Sequence, residues 1–205
     1  NLPWREVFTD PQLQSLIEQG LKQNTDLLSA ALNVKAAEAS LMSARLAYAP
    51  SIGLSPQGTI SSFDKNAATK TYSLPVTASW QVDLFGQLLN SKRNAQVTLK
   101  QTKAYRQAVQ TQVIANIANM YYTLLMLDRQ LEITQATAEV LKRNAETVQA
   151  LSERSTYTSA ALAQSKAAYA QVVASILDIE QSIRETENAL STFLGEAPHA
   201  IKRGV

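Results

Sequence analysis

Cysteine is absent from this 205-residue chain, which excludes a disulfide framework, a thiolate metal site and a cysteine nucleophile. The single histidine, His199, has no evident partners for a metal centre or dyad and reads as part of a solvated linker. No run of 18 apolar residues occurs, so an ordinary transmembrane helix is excluded. Membrane β-strands, which are short and alternating, are not excluded by that absence. Aromatics make up only 6%, and glycine and proline number six each. Ala, Leu, Val and Ile carry most of the 45% hydrophobic content, with much Gln and Ser beside them, a composition that favours long helices over a compact mixed core. Charge of one sign is also lacking: 19 basic residues face 17 acidic ones. No basic block or stripe stands out, so nucleic acid is not an expected partner. There is no phosphate-cradling glycine loop, no Ser/His/Asp set and no metal-ligand spacing. No enzyme, cofactor or metal site is therefore expected. The chain begins at Asn1 rather than Met, which reads as a processed or trimmed form and leaves targeting illegible.

What is present is arranged around the helix breakers. Prolines stand at 3, 11, 50, 56, 75 and 198, glycines at 20, 53, 58, 86, 195 and 204. Residues 87–194 contain neither, which predicts a helical region. Within it, Leu124, Leu127, Leu131, Thr134, Ala138, Leu141, Ala145 and Val148 step by three and four. So do Val172, Ile176, Ile179, Ile183, Thr186, Leu190 and Phe193. This is an a/d seam of coiled-coil type. Ala30, Val34, Ala37, Leu41, Ala44 and Tyr48 repeat the pattern earlier. The polar segment from Leu151 to Thr158 separates the two long seams and reads as a tight turn with a hydroxyl N-cap. An antiparallel helical hairpin follows, its first arm on the order of 100 Å long at 1.5 Å per residue. Charged pairs such as Glu139 with Arg143, and Arg184 with Glu187, read as exposed helix faces. Tyr121 and Tyr122 read as packing or tunnel lining.

Residues 51–84 have a different period. Tyr72, Leu74, Val76, Ala78, Trp80, Val82 and Leu84 alternate with Ser73, Pro75, Thr77, Ser79, Gln81 and Asp83, a strand signal over the whole of 72–84. Ile52, Leu54 and Ile60 share one weaker phase, and Ser51, Ser55, Gln57, Thr59 and Ser61 the other. A polar connection over 62–70 makes these two strands a hairpin. Each strand has about the length a tilted membrane strand needs, although Pro56 and Pro75 each remove a ladder hydrogen bond. A lone hairpin is marginal in water, so it calls for a partner.

The expected order is an N-terminal segment with a short helix (1–23), a helix (24–50), a β-hairpin (51–84), a long helix (86–152), a tip turn (153–158), a return helix (159–194) and a linker (195–205). In that frame several stretches resemble the TolC-like outer-membrane efflux proteins, the channels of tripartite pumps. Trp4-Arg-Glu-Val-Phe-Thr-Asp-Pro-Gln-Leu13 resembles the family's opening segment, continued by Leu16-Ile17 and Asn24-Thr-Asp-Leu27. Ala49-Pro50 resembles its helix-to-strand junction. Ser79-Trp-Gln-Val-Asp-Leu-Phe-Gly86 resembles its strand-to-helix junction and is the most specific piece. Leu194-Gly-Glu-Ala-Pro198 and Ile201-Lys-Arg-Gly204 resemble the linker that closes the first of two repeats. The resemblance implies a mainly α fold, with long antiparallel coiled-coil helices and an inserted two-stranded membrane β-hairpin. It further implies an outer-membrane homotrimer whose helices form a periplasmic tunnel, docked to a periplasmic adaptor and through it to an inner-membrane transporter. Two departures stand out. Only one repeat is present, so a trimer of this chain alone supplies half the strands of the family's barrel. Ser155 also stands where the family's tip turn commonly carries glycine.

Three groups of candidate residues follow. The tip, Leu151, Ser152, Glu153, Arg154, Ser155, Thr156, Tyr157 and Thr158, is the expected adaptor contact; its bland alternative is a solvated loop. In the hairpin, Tyr72, Leu74, Val76, Ala78, Trp80 and Val82 are expected to face outer-membrane lipid, and Thr77, Ser79, Gln81 and Asp83 a wet lumen. Tyr72 and Trp80 fit an aromatic girdle. The alternative is a half-buried strand of a soluble sheet. Asp83, Leu84, Phe85 and Gly86 form a strand-to-helix junction, with Gly86 relaxing the backbone and Asp83 capping an exposed amide. Against the channel subunit stands a soluble periplasmic coiled-coil adaptor or interaction protein, whose helices would not carry a membrane-length strand pair.

Overall fold

Helix boundaries fall where the backbone chemistry demands them. In a computed structural model of the chain, residues 3–61, 69–154 and 158–204 are described. Among them the order is α1 (Trp4–Val7), α2 (Pro11–Gln23), α3 (Thr25–Leu46), β1 (Ser51–Leu54), β2 (Gln57–Ser61), β3 (Thr69–Ser73), β4 (Val76–Ser79), α4 (Gln87–Glu153) and α5 (Ser159–Phe193). The chain divides into two compact units, residues 1–29 with 107–205, and residues 30–106.

In the first unit, α2 opens with Pro11 at its first position and Asp10 as N-cap, whose carboxylate accepts the Gln12 amide at 2.8 Å. Asn24 separates α2 from α3 and is buried. Its Oδ1 accepts the Asp26 and Leu27 amides at 3.1 and 3.2 Å, and its Nδ2 donates to the Phe193 carbonyl at 3.0 Å. One side chain thus starts α3 and ties down the end of α5. Gly195, with φ +79, terminates α5. Its amide donates to the Thr192 carbonyl and the Glu196 amide to the Ser191 carbonyl, the paired bonds of a Schellman end. Thr158 caps the start of α5, accepting the Ala161 amide at 3.4 Å.

The seams bury what their spacing says they should. On α4, Leu124, Ala138 and Ala145 are buried, and Leu127, Leu131, Thr134, Leu141 and Val148 half-buried. On α5, Ile179, Ile183 and Leu190 are buried, and Val172, Ile176, Thr186 and Phe193 half-buried. A core of Leu13, Ile17, Ile117, Tyr121, Leu190 and Leu194 joins α2 to α4 and α5. Gly20 sits where a Cβ would overlap the Ile117 side chain, so the α2 backbone approaches α4 directly.

In the second unit Ala30, Val34, Ala37 and Leu41 are buried and Ala44 half-buried, whereas Tyr48, expected to continue this seam, is exposed because α3 ends at Leu46. Lys103 pairs with Glu38 at 3.1 Å. The strands differ from the expected continuous pair. β1 pairs antiparallel with β4, from Ser51↔Ser79 to Leu54↔Val76. β2 pairs with β3, from Gln57↔Ser73 to Ser61↔Thr69. Between the ladders two residues are skipped on each side, so the register is unchanged and the two ladders form one hairpin interrupted at Pro56 and Pro75. Pro75 lacks the amide proton that would return a bond to Ser55, and only the Ser55 amide still bridges the gap, donating to the Pro75 carbonyl at 3.2 Å. Pro56 falls at a pair that does not bond inward, so the ladder bond expected to be lost there is not one this hairpin makes. The second strand also stops at Ser79 rather than running to 84. Its partner begins at Ser51, so residues 80–83 have no strand to pair with.

These burials set a stability contrast. Leu190→Ala is expected to cost about 2–5 kcal/mol, because Leu190 has no exposed surface. Leu177→Ala, on the exposed side of α5, should stay within about 0.5 kcal/mol in the isolated chain. Chemical denaturation in mild detergent reads both; comparable losses would contradict the seam.

Candidate functional site

Directly opposed residues of an antiparallel pair lie on the same face. The register therefore places Ile52, Leu54, Ile60, Tyr72, Val76 and Ala78 together, with Lys70 the one charged member. Leu74 continues this phase within the interruption. The other face is Ser51, Gly53, Gln57, Thr59 and Ser61 opposite Ser79, Thr77, Ser73, Thr71 and Thr69, all small or polar and none charged. Hydroxyls bond across it: Ser51 Oγ and Ser79 Oγ lie 2.7 Å apart, and Thr77 Oγ1 donates to the Gly53 carbonyl at 3.4 Å. Neither face is covered. Ile52 and Tyr72 are each 77% exposed. A two-stranded sheet with an uncovered apolar face has too little buried area to persist in water. Of the residues singled out in sequence, Tyr72, Leu74, Val76 and Ala78 fall on or in phase with the apolar face, and Thr77 and Ser79 on the polar one. Trp80, Gln81, Val82 and Asp83 lie beyond the end of β4.

There the chain turns into α4. Asp83 Oδ2 accepts the Leu89 amide at 2.9 Å, and Gly86 adopts φ +75, a conformation glycine takes without steric cost. The Asn90 amide donates to the Gly86 carbonyl at 2.9 Å. Leu84 and Phe85 stay exposed. Trp80 Nε1 donates to the Tyr48 carbonyl at 3.1 Å, and Lys92 Nζ lies 5.8 Å from the Tyr48 ring centre.

At the other candidate, Leu151, Ser152 and Glu153 form the last turn of α4. Glu153 accepts a bond from Gln149 at 3.4 Å, and the Arg154 amide donates to the Leu151 carbonyl at 3.2 Å. Thr158 caps α5. Ser155, Thr156 and Tyr157 lie outside the described residues.

The structure also builds a polar clasp that the sequence reading missed. Tyr121 is fully buried; its hydroxyl donates to Asp10 Oδ2 and accepts the Gly204 amide at 2.9 Å. Arg203 grips Asp128 with two nitrogens, the second at 2.7 Å, and also reaches Glu187. The reading of Glu187 as part of an exposed face is thereby corrected: its side chain is only 13% exposed, because Arg203 returns from the linker to cover it. Arg184 pairs with Glu180 instead, at 3.6 Å. His199 stands beside Ser191 and the Ala197 carbonyl, and no group of three metal-ligating side chains exists among the described residues. The Tyr121 bond, then the Gln12 and Leu13 amides, hold the Asp10 carboxyl below its ordinary range. Burial, then the bond to Asp10, raises the Tyr121 phenol. Carrying the Leu124 seam back through Ile117 would have placed Tyr121 inside; nothing in the periodicity points to Arg203.

The outer membrane efflux protein family matches residues 16–196. The pyoverdine export outer membrane protein OpmQ of Pseudomonas aeruginosa is 30% identical over 173 residues, 78% of this chain and 35% of that protein. The cation efflux system protein CusC of Escherichia coli K12 is 28% identical over 163 residues, with the same coverage. The outer membrane protein VceC of Vibrio cholerae superposes with a TM-score of 0.82 at 25% identity, over 95% of this chain and 49% of that one. The chain thus spans about a third of the curated relatives' length.

The clasp predicts a pH profile. Tyr121→Phe strands the Gly204 amide and one Asp10 oxygen and should cost about 1–3 kcal/mol. Asp10, with a lowered folded value, contributes stability above the unfolded carboxyl pKa of about 4 and loses it as pH falls through the folded one. Tyr121, with a raised value, contributes below about pH 10 and loses it as pH rises further. Denaturation midpoints should be level between, and Asp10→Asn should flatten the acid limb. An unchanged acid limb in Asp10→Asn refutes the assignment.

Proposed function

The chain belongs to the outer membrane efflux protein family, and from that premise we propose that it is one repeat of a passive outer-membrane channel subunit, the exit duct of a tripartite efflux or secretion system. The two-faced hairpin carries the reading. Its apolar face meets lipid and its uncharged hydroxyl face lines a wet path. Both faces are exposed in the chain alone, as expected of a segment whose solvent on one side is hydrocarbon. The coiled-coil helices extend the path through the periplasm. The protein acts as a homotrimer, with outer-membrane lipid around the barrel. The tip, from Leu151 to Thr158, meets a periplasmic adaptor, which joins it to an inner-membrane transporter. Nothing in this part does chemistry: the energy comes from the pump, and gating is a change in helix packing. The relatives' named cargoes range from pyoverdine to cations, and the hairpin's polar face carries no charge that would select among them.

Opposed single substitutions in the full-length protein test this in planar bilayers. Val76→Lys places a charge on the lipid side, at a cost of up to about 2–4 kcal/mol per strand, and should sharply reduce channel insertion. Thr77→Lys, one residue on, should insert normally and shift the reversal potential towards anions. The opposite pattern sinks the assignment of faces. A wild-type protein fully soluble without detergent would support the coiled-coil adaptor instead.

A further inference from the structure

Charge that looks evenly mixed along the sequence is unevenly divided by the fold. Residues 30–106 hold nine basic residues against three acidic, and the remainder ten against fourteen. Within that unit the first six turns of α4 carry Lys92, Arg93, Lys100, Lys103 and Arg106 and no acid. The two acids among its described residues are both engaged: Glu38 by Lys103, and Asp83 by the Leu89 amide. Arg45, in the last turn of α3, together with Lys92 and Arg93 in the first two turns of α4, takes part in none of the ion pairs among the described residues. Lys92 lies over the Tyr48 ring rather than beside a carboxylate.

These three cations stand where the apolar face of the hairpin ends. Trp80 follows β4 in phase with that face, its indole nitrogen satisfied by the Tyr48 carbonyl and its residue 67% exposed. Phe85 is 96% exposed. The contacts Trp80 to Tyr48 to Lys92 tie Lys92 to the apolar side; Arg93 adjoins it on α4, and Arg45 precedes Tyr48 by three residues at the end of α3. Exposed aromatics next to unpaired cations at the edge of a hydrocarbon-facing surface match a membrane interface, where rings sit at headgroup level and cations meet phosphates.

We propose that Arg45, Lys92 and Arg93, flanked by Tyr48, Trp80 and Phe85, form a belt that holds the phosphate of an anionic phospholipid in the leaflet nearest the helices. The inference rests on the hairpin being inserted in a membrane. Each cation at an anionic surface strengthens association about five-fold, so the cluster should prefer anionic over zwitterionic lipid by at least about ten-fold.

The test is the lipid retained by the full-length protein. Wild type is placed in nanodiscs of equal phosphatidylglycerol and phosphatidylcholine, released gently and weighed by native mass spectrometry. Two variants are compared: R45Q/K92Q/R93Q, and the equal-charge control K22Q/K142Q/K166Q. Phosphatidylglycerol should be enriched at least about ten-fold in wild type and control, and the enrichment should vanish in the belt variant. Enrichment surviving in the belt variant, or missing from wild type, overturns the proposal. So does displacement by soluble glycerol phosphate at equal concentration, which would mean that the site reads free phosphate rather than lipid. Conductance of the same preparations separates the two readings. Open channels without enrichment overturn the lipid belt alone, whereas protein that neither inserts nor conducts overturns the channel beneath it.

Discussion

Each of the helices α2 to α5 buries one narrow stripe and little else, and most of the architecture follows from that constraint. On α3 the buried positions are Ala30, Val34, Ala37 and Leu41, while Leu28, Leu32, Met42 and Leu46 remain exposed. Two apolar residues in seven suffice for a seam but not for a globular core. The stripe is also thin in volume, with alanine at many of its positions, which lets helix axes approach closely. A chain built this way is half of a packing problem. In the proposed trimer the outward leucines and methionine of α3 meet neighbouring helices, and the same geometry keeps a tube open instead of filling it.

Thin seams carry little register information. A helix whose contact positions are Ala, Leu and Thr can slide by a heptad at modest cost, because each position finds a similar neighbour. The polar clasp supplies what the seam lacks. Asn24 bonds only where α3 begins and α5 ends. Tyr121 needs Asp10 and the Gly204 amide at once. Arg203 fits only where Asp128 on α4 and Glu187 on α5 lie abreast. Each group, if displaced, leaves a half-buried charge or amide without its partner, a penalty of kcal/mol size. These bonds specify alignment more than they add stability, which explains their concentration where α2, α4, α5 and the linker converge.

The same distinction explains what could be read in the sequence. The seams at 124–148 and 172–193, the long breaker-free stretch and the alternation around residues 72–78 are local, periodic signals; burial follows the two seams residue by residue, and the antiparallel register sorts the alternating residues onto two faces. The end of the second strand was not legible from that strand alone: alternation runs on through Trp80, Val82 and Leu84, but a strand ends where its partner does, at Ser51. The clasp was invisible because its partners are far apart in sequence, Asp10 with Tyr121 and Asp128 with Arg203, and no period links them. The belt was missed for a related reason. Arg45 and Lys92 are separated by the whole hairpin, so a count of neighbouring charges along the chain does not bring them together. The tip residues remain a reading of position and family, since Ser155, Thr156 and Tyr157 fall outside the described residues.

The ladder itself constrains how such a hairpin enters a membrane. The bond from the Ser55 amide to the Pro75 carbonyl makes that pair, and every second pair along the shared register, inward-bonding. The backbone groups of the apolar residues between them, Ile52, Leu54, Ile60, Tyr72, Val76 and Ala78, therefore point outward to the two open edges. In water those amides and carbonyls are solvated; in hydrocarbon each would cost several kcal/mol unless paired. The residues that favour lipid through their side chains are thus the ones that forbid it through their backbones until a neighbouring strand arrives. Pro56 belongs to this outward set and presents no amide there, which weakens one edge as a template for unplanned pairing. In the proposed channel this couples closure of the barrel to entry into the bilayer, because a hairpin with two open edges carries its unpaired backbone groups into hydrocarbon at that cost.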